Sequence, residues 1–480
     1  MNLFLPSDRR PLHFVGIGGA GMGALALIAL RRGVPVTGSD VDISGCGDLV
    51  AAGAQVFAGH AANHVGNARA VVASAAIPAE DVEVVEARSR AIPVVPRKEA
   101  LAGLIGAARC IGIAGTHGKT TTTVMATEAV AAAGIPVTGI AGGRVSAWGG
   151  NAWLGGDDLY VVEADEYDQA FLTLSPTIAV VNNVEADHLE CYGSLEALEG
   201  AFVTFAGRSE RALVGNDSAG AERVARCLSA ERTWRFGPGA RDLDLRAIET
   251  TPHGSRATVT LPGRGSVSLH LGVPGVHNLR NATAALGVVV ALGGDPEPAL
   301  DALAEFRGVG RRFDRQGEFG GIAIVDDYAH HPTELRVTLA AARQAYPGRR
   351  LVAAFQPHLY SRTAQHADAM GEALAAADLA VITDVYGARE APLPGVTGEL
   401  VARAARLKGG AVVYEASRDE LGRQVAALLR SGDVLITLGA GDITRLGSEV
   451  REHLGAEVGE HRGGEVGEHR GEVGEHLGGA

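Results

Sequence analysis

The stretch GTHGKTTT, residues 115–122, puts an ammonium group and a run of hydroxyls where a strand, CIGIA, gives way to a helix, VMATEAVAAAG. That arrangement suits phosphate chemistry. Gly118, Lys119 and Thr120 form the G-K-T end of a phosphate-binding loop. In such a loop the backbone N–H groups of Gly115, Thr116, His117, Gly118 and Thr121 wrap phosphates, Lys119 neutralises the outer ones, and the Thr120 hydroxyl ligates Mg²⁺. Ile113 stands where the usual pattern carries its first glycine. Only Lys98, Lys119 and Lys408 among the 43 basic residues are lysines, which makes lysine rather than arginine at 119 conspicuous.

A second glycine loop lies near the amino end. Gly16, Gly18 and Gly21 follow the strand LHFVGI in G-x-G-x-x-G spacing, and with Gly19, Ala20 and Met22 they open an Ala/Leu-rich helix. Backbone lacking Cβ atoms approaches a diphosphate closely there, and the helix N-terminus adds N–H donors and partial positive charge. Asp40, ending the second strand, is placed for a ribose hydroxyl. The loop alone leaves two occupants open, a nicotinamide dinucleotide and another nucleotide diphosphate. A glycine turn serving packing alone is the plainer alternative.

Further candidates sit at strand ends. Glu163 closes the strand LYVVE and His188 follows TIAVVNNV, so in a parallel sheet both face the phosphate loop. A solvated carboxylate and a hydrogen-bonded loop histidine are the bland readings. Asn278 and Asn281, in HNLRNATAA, suit an adenine or a helix cap. Arg312 and Asp327 flank a Gly- and Arg-rich connector, where a structural ion pair is the alternative. Tyr328, His330 and His331 follow one strand, and His358 and Arg362 another. Converging at one sheet edge, they read as a site more readily than as core.

These residues need several sheets to hold them. Apolar runs bounded by Gly, Asp or Pro recur as buried parallel strands, among them RAVVASAA, IAIVDDY, RLVAAFQPH, LAVITDVY and DVLITLGAGD, with Ala-rich helical stretches between most of them. Length and alternation predict an α/β protein of about three domains. The pattern sets boundaries near 1–106, 107–312 and 313–454, with short alternating segments at 231–275 as an antiparallel addition to the middle domain. A formal charge of −13 argues against non-specific nucleic-acid binding. Cys46, Cys110, Cys191 and Cys227 lie far apart, which suggests neither a zinc knuckle nor a disulfide framework and fits a reducing cytoplasm. Neither the N-terminus nor ALALIAL is long enough for a signal peptide or membrane span. The tail, 455–480, repeats EVGEHRG and reads as low-complexity and disordered. Metal capture by His461, His469 and His476 is the alternative there.

Taken together, GTHGKTTT, VEADEYD, NNVEADHLECYG, PGVHNLRNATAA, GRRFD, DDYAHHPTE, FQPHLYSRT and LGAGDI resemble, in order over residues 10–450, the Mur ligases of peptidoglycan synthesis, in their alanine-adding branch. The resemblance implies an N-terminal Rossmann-like domain for a UDP sugar, a central ATPase-like domain, and a C-terminal Rossmann-like domain that closes over the site. It implies a soluble monomer or homodimer that uses ATP, Mg²⁺, UDP-N-acetylmuramate and L-alanine and forms an amide through an acyl phosphate. The first loop, with Ser74, then holds UDP rather than NAD. Thr120 and Glu163 hold one magnesium and His188 a second. Arg312 and Asp327 reach the nucleotide phosphate and ribose, and Lys119, His188, His330 and Arg362 act at the reacting groups. No lysine lies between Lys119 and Lys408, so the carbamylated lysine used by many of these ligases is unavailable, as in the alanine-adding branch. Leu359 departs from the arginine common after F-Q-P-H. A recycling ligase that adds a preformed peptide is the nearest rival, and a dehydrogenase using only the first loop is a rival from another class.

Overall fold

The computed structural model describes residues 3–251, 253–388 and 390–463, with side chains as far as residue 455. The chain forms two compact units that divide between Arg312 and Phe313.

The first unit carries two sheets. One is parallel throughout, in the order β3 (Gln55–Ala58), β2 (Val36–Asp40), β1 (Leu12–Val15), β4 (Ala70–Ala73), β5 (Val94–Pro96). The other has ten strands. Its parallel part runs β13 (Leu243–Thr251), β12 (Thr233–Gly237), β11 (Arg211–Gly215), β10 (Ile178–Val181), β6 (Arg109–Ala114), β9 (Leu159–Glu163), β7 (Thr138–Val145). Antiparallel strands extend both ends: β8 (Gly150–Leu154) beside β7, and β14 (Gly254–Leu261) with β15 (Gly265–Leu271) beyond β13. Val, Ile and Ala runs make the central strands, because helices cover both faces of a parallel sheet and a strand buried on both sides has no place for alternating polar residues.

In each sheet a glycine loop leaves the strand at which the order reverses. β1 lies between β2 and β4, and β6 lies between β10 and β9. Loops diverge at such a point and leave a crevice beyond the carboxyl ends of the strands. One hydrophobic core joins the two sheets. Leu25, Ile28 and Leu104 belong to the same buried cluster as Cys110, Tyr160 and Phe205, which explains why two sheets form one unit.

The second unit holds a six-stranded sheet in the order β16 (Asp314–Phe319), β17 (Ile322–Asp327), β21 (Val434–Leu438), β18 (Leu351–Phe355), β19 (Leu379–Ile382), β20 (Val412–Tyr414). It is parallel except for β16. The three-sheet α/β architecture and the antiparallel extension agree with the reading of the sequence. Among the strands it did not single out are β3 and β5, which are short and only partly buried, and β7, whose TGIAGGRV is rich in glycine.

A helix runs Leu446–Gly463 and so reaches into the first residues of the 455–480 segment, the rest of which lies outside the described residues. Its first turns are fixed by burial of Leu446 and Val450 and by Arg418, which bonds both carboxylate oxygens of Glu449 at 2.8 and 2.9 Å. His469 and His476, and the side chain of His461, lie outside the described residues. Among the described residues no helix is long and apolar enough to cross a membrane.

Candidate active site

The phosphate loop closes on itself through backbone that only glycine adopts readily. Gly115 and Gly118 have φ of +137° and +76°, and Gly118 delivers the chain into the helix Lys119–Ala132. A Cβ on Gly118 would sit 2.9 Å from Asn281 Oδ1, so the second helix, Val276–Ala291, presses an amide directly on the loop. The N-cap of that helix is Gly275, so neither Asn278, in its first turn, nor Asn281 is the capping residue. Asn278 donates instead to the Pro274 carbonyl at 2.8 Å. The His117 N–H donates to Asn183 Oδ1 at 2.8 Å, and its ring lies 3.4 Å from Glu185.

Lys119 Nζ donates to the Gly115 carbonyl at 2.6 Å and to Glu166 Oε1 at 2.8 Å. Burial alone would lower the lysine's pKa, but Glu166 and Asp165 outweigh it, so the ammonium is held above its ordinary value. Glu163 ends β9 with its carboxylate against β7, where Oε2 accepts the Gly142 N–H at 2.8 Å. A Cβ at Gly142 would lie 2.5 Å from that oxygen, so the glycine makes room for the acid. Thr120 is buried one residue beyond Lys119. His188 sits at φ +53°, with its ring 3.3 Å from Glu190 and edge-on to Tyr167 at 5.2 Å between centroids.

Hydroxyl, carboxylate and imidazole are ordinary donors for a small hard cation and its second-site partner. A further donor is available, because the second oxygen of Glu166 is buried with no hydrogen-bond partner. The donor set therefore fits a divalent cation.

The amino-terminal glycine loop is braced by Asp40. Its Oδ2 accepts the Gly18 N–H at 2.9 Å and its Oδ1 the Asp42 N–H at 3.2 Å, so the carboxylate shapes the loop. Gly16 has φ +81°, and a Cβ there would meet Ser74 at 3.4 Å. Gly19 precedes the helix that begins at Ala20 and contains Gly21 and Met22, the latter buried. A Cβ on Gly21 would lie 2.8 Å from Arg97 Nη1, which places a guanidinium over the third glycine. Beside it is a cavity of about 280 Å³ lined by Ser74, Ile77, Arg97, Lys98, Tyr167 and Asp168. Lys98 bonds Asp168 at 2.7 Å, and Arg97 lies 3.6 Å from Asp165, tying the cavity to the loop after β9. Asp168 and Gln169 both have φ of +52°, a strained pair in that loop.

In the second unit Asp327 accepts N–H groups from Phe313 at 2.7 Å and Ala329 at 2.8 Å. Arg312, at the end of the first unit, donates its N–H to Val309 at 3.0 Å. His330, after β17, packs edge-on to Tyr328 at 5.3 Å and to His358 at 5.9 Å. Arg362 is buried and donates to His358 Nδ1 at 3.3 Å. His331 stands apart from this group, capping the helix Pro332–Ala345 in a reciprocal box with Glu334. Leu359 is buried at φ +68°, directing the chain between His358 and the helix Tyr360–Leu374.

Residues 11–109 match the family described as Mur ligase family, catalytic domain; 113–289 match the Mur ligase middle domain; and 311–441 match the Mur ligase, glutamate ligase domain. A curated relative, UDP-N-acetylmuramate–L-alanine ligase of Thermobifida fusca, is 44% identical over 455 residues, covering 92% of this chain and 96% of its own. The chain belongs to the Mur ligase family. Another relative of the same name, from Salinibacter ruber, is 44% identical over 91% of this Mur ligase and 93% of its own length. The crystal structure of UDP-N-acetylmuramate–alanine ligase from Thermotoga maritima superposes with a TM-score of 0.80 at 28% identity, covering 94% of this chain and 99% of that one.

Sequence reasoning passed over three groups in this Mur ligase. Glu166 lies in the quoted VEADEYD, three residues from the chosen Glu163, and only packing shows that it meets Lys119. Arg97 comes from a helix with no motif of its own. Tyr386, after the neighbouring strand β19, stacks on His358 at 5.9 Å.

Proposed function

We propose that this Mur ligase joins L-alanine to the carboxylate of UDP-N-acetylmuramate, with cleavage of ATP to ADP and phosphate. The observation that carries the reading is Lys119, half-buried in the phosphate loop, paired with Glu166 and under the charge of Asp165 and Glu163. The names of the relatives supply the substrates.

Two bonds change in turn. A carboxylate oxygen of the sugar acid attacks the γ-phosphorus and ADP leaves. The amine then attacks the acyl carbon, the C–O bond to phosphate breaks, and the amine loses a proton. Phosphoryl transfer needs positioning and charge neutralisation more than covalent help. Lys119 and the loop N–H groups hold the outer phosphates, with Asn278 and Asn281 toward the base. Thr120, Glu163 and His188 would hold magnesium, which supplies neutralisation of the developing charge. The Gly16–Gly21 loop, Asp40 and Ser74 take the UDP diphosphate and ribose, and Arg97 adds a positive charge over Gly21. In the second unit Arg362 and the histidines 330 and 358 orient the amino acid and the acyl phosphate, while Arg312 and Asp327 serve the nucleotide.

Phosphate release tests this directly. With UDP-N-acetylmuramate and ATP present, L-alanine is expected to stimulate release and a preformed tripeptide is not. Stimulation by the tripeptide alone would make the protein a recycling ligase. Turnover with a nicotinamide cofactor and no ATP would remove the ligase reading.

A further inference from the structure

Lys119 is fully engaged by the protein. An ammonium has three N–H bonds and no other donors. Here they go to the Gly115 carbonyl at 2.6 Å, to Glu166 Oε1 at 2.8 Å and, more weakly, to the Thr116 carbonyl at 3.3 Å. A phosphate oxygen therefore gains a hydrogen bond from this lysine only by displacing one of those acceptors. Two are neutral carbonyls of the loop itself. The third is a carboxylate from a separate loop, and it is the one whose negative charge competes with phosphate for the same cation.

Glu166 is also the acceptor that cannot be left alone. It is 2% exposed, its Oε2 is buried without a partner, and Asp165 adds a like charge beside it. Its backbone is fixed, since the Glu166 carbonyl accepts the Tyr192 hydroxyl at 2.5 Å. Once Lys119 turns toward phosphate, a buried carboxylate loses the cation hydrogen-bonded to it, a state that strongly disfavours the exchange unless another cation arrives. The buried Glu166 Oε2, which has no hydrogen-bond partner, is itself a ligand atom suited to a divalent cation.

We infer that Glu166 is a latch which exchanges Lys119 for a divalent cation as nucleotide binds, coupling metal occupancy to release of the lysine. Glu166 is on this account a positioning residue that acts through Lys119. The inference rests on the reading above that Lys119 holds nucleotide phosphates.

The test is calorimetric titration of the full chain with a non-hydrolysable ATP analogue, in EDTA and in saturating Mg²⁺, for wild type, Glu166→Gln, Glu166→Asp and Lys119→Ala. In Glu166→Gln the lysine is released from a charged competitor. Metal-free affinity is expected to rise about tenfold, and the Mg²⁺ enhancement to shrink by about the same factor, as reciprocal coupling requires. Glu166→Asp keeps the charge but shortens its reach, so metal-free affinity rises while the Mg²⁺ enhancement persists. It decides the matter if the glutamine variant does not fold. Affinities and enhancement equal to wild type in the folded Glu166 variants would overturn the latch and leave Glu166 a fixed clamp. Unchanged nucleotide binding in Lys119→Ala would instead remove the role of Lys119, a separate failure.

Discussion

Glu83 and Glu166 belong to the same unit and are both withdrawn from solvent, at 0% and 2% exposure, yet their surroundings are opposite. Glu83 is saturated. One oxygen accepts the Ala61 N–H at 3.1 Å and meets His64 at 2.9 Å; the other takes the Ser39 hydroxyl at 2.5 Å and meets His13 at 3.3 Å. Burial by itself would raise its pKa, but the bonds from His13, Ser39 and Ala61 bring the carboxyl down to about 2. Glu166 has Lys119 on one oxygen and nothing on the other, and burial pushes its pKa up against the pull of Lys119. A fully satisfied polar network fixes structure, whereas a half-satisfied one is unstable by itself and gains most when a ligand completes it. The first carboxylate ties β1, β2 and the helix Val82–Ser89 together, and the second waits at the phosphate loop.

The largest effect expected is at the half-satisfied site. Lys119→Ala should lower kcat/KM of the folded enzyme by about a thousandfold or more, roughly 4 kcal/mol of transition-state stabilisation, and the thermal midpoint should fall as well, because Glu166 is left buried without its cation. Steady-state phosphate release and differential scanning fluorimetry check both halves. A variant with full turnover would remove the contrast. Glu83→Ala should cost stability alone, about 3 kcal/mol in urea unfolding because His13 and Ser39 are left buried without their partner, while kcat in the folded fraction holds. Loss of kcat without loss of stability would place Glu83 in the chemistry.

Gly142→Ala sharpens the comparison from a third carboxylate. The new methyl would meet Glu163 at 2.5 Å, so the acid must move, and a fall in kcat of about tenfold or more is expected at nearly unchanged stability. Raising the Mg²⁺ concentration should restore part of it, and failure to respond to Mg²⁺ would separate Glu163 from the metal.

The smallest effect concerns acid. His277 is held down to about 4 by burial and by Arg280, against an ordinary 6.5. Its unfolded form therefore binds more protons between those values, and stability that is full above about 6.5 declines as the pH falls toward 4. The loss is on the order of 1 kcal/mol, because the ring keeps some contact with solvent. Glu83 adds a second decline below 4.5, as pH falls toward about 2. Urea midpoints at pH 7, 5.5 and 4 for wild type and His277→Gln check this, and parallel curves would rule the histidine out.

Much of this was legible in the sequence. Lys119, Thr120, Glu163 and His188 stand at strand ends because glycine loops and apolar runs have strong local causes, positive φ at Gly115 and Gly118 among them. Less legible were positions whose partners are distant in the chain. Lys119 and Glu166 are 47 residues apart, and Arg97 reaches Gly21 from a helix that carries no motif. Leu446, Val450 and Glu449, just before the tail, dock the start of the helix Leu446–Gly463 on the second unit, contacts with partners distant in the chain that composition does not show.

The sequence by itself determined where the glycine loops turn and which strands carry the acids, since turn chemistry and periodicity act between near neighbours. Only the tertiary structure decided which carboxylate is saturated and which keeps an orphan oxygen. Burial and hydrogen bonding depend on what the fold packs alongside, and Glu83 and Glu166 differ in nothing but that.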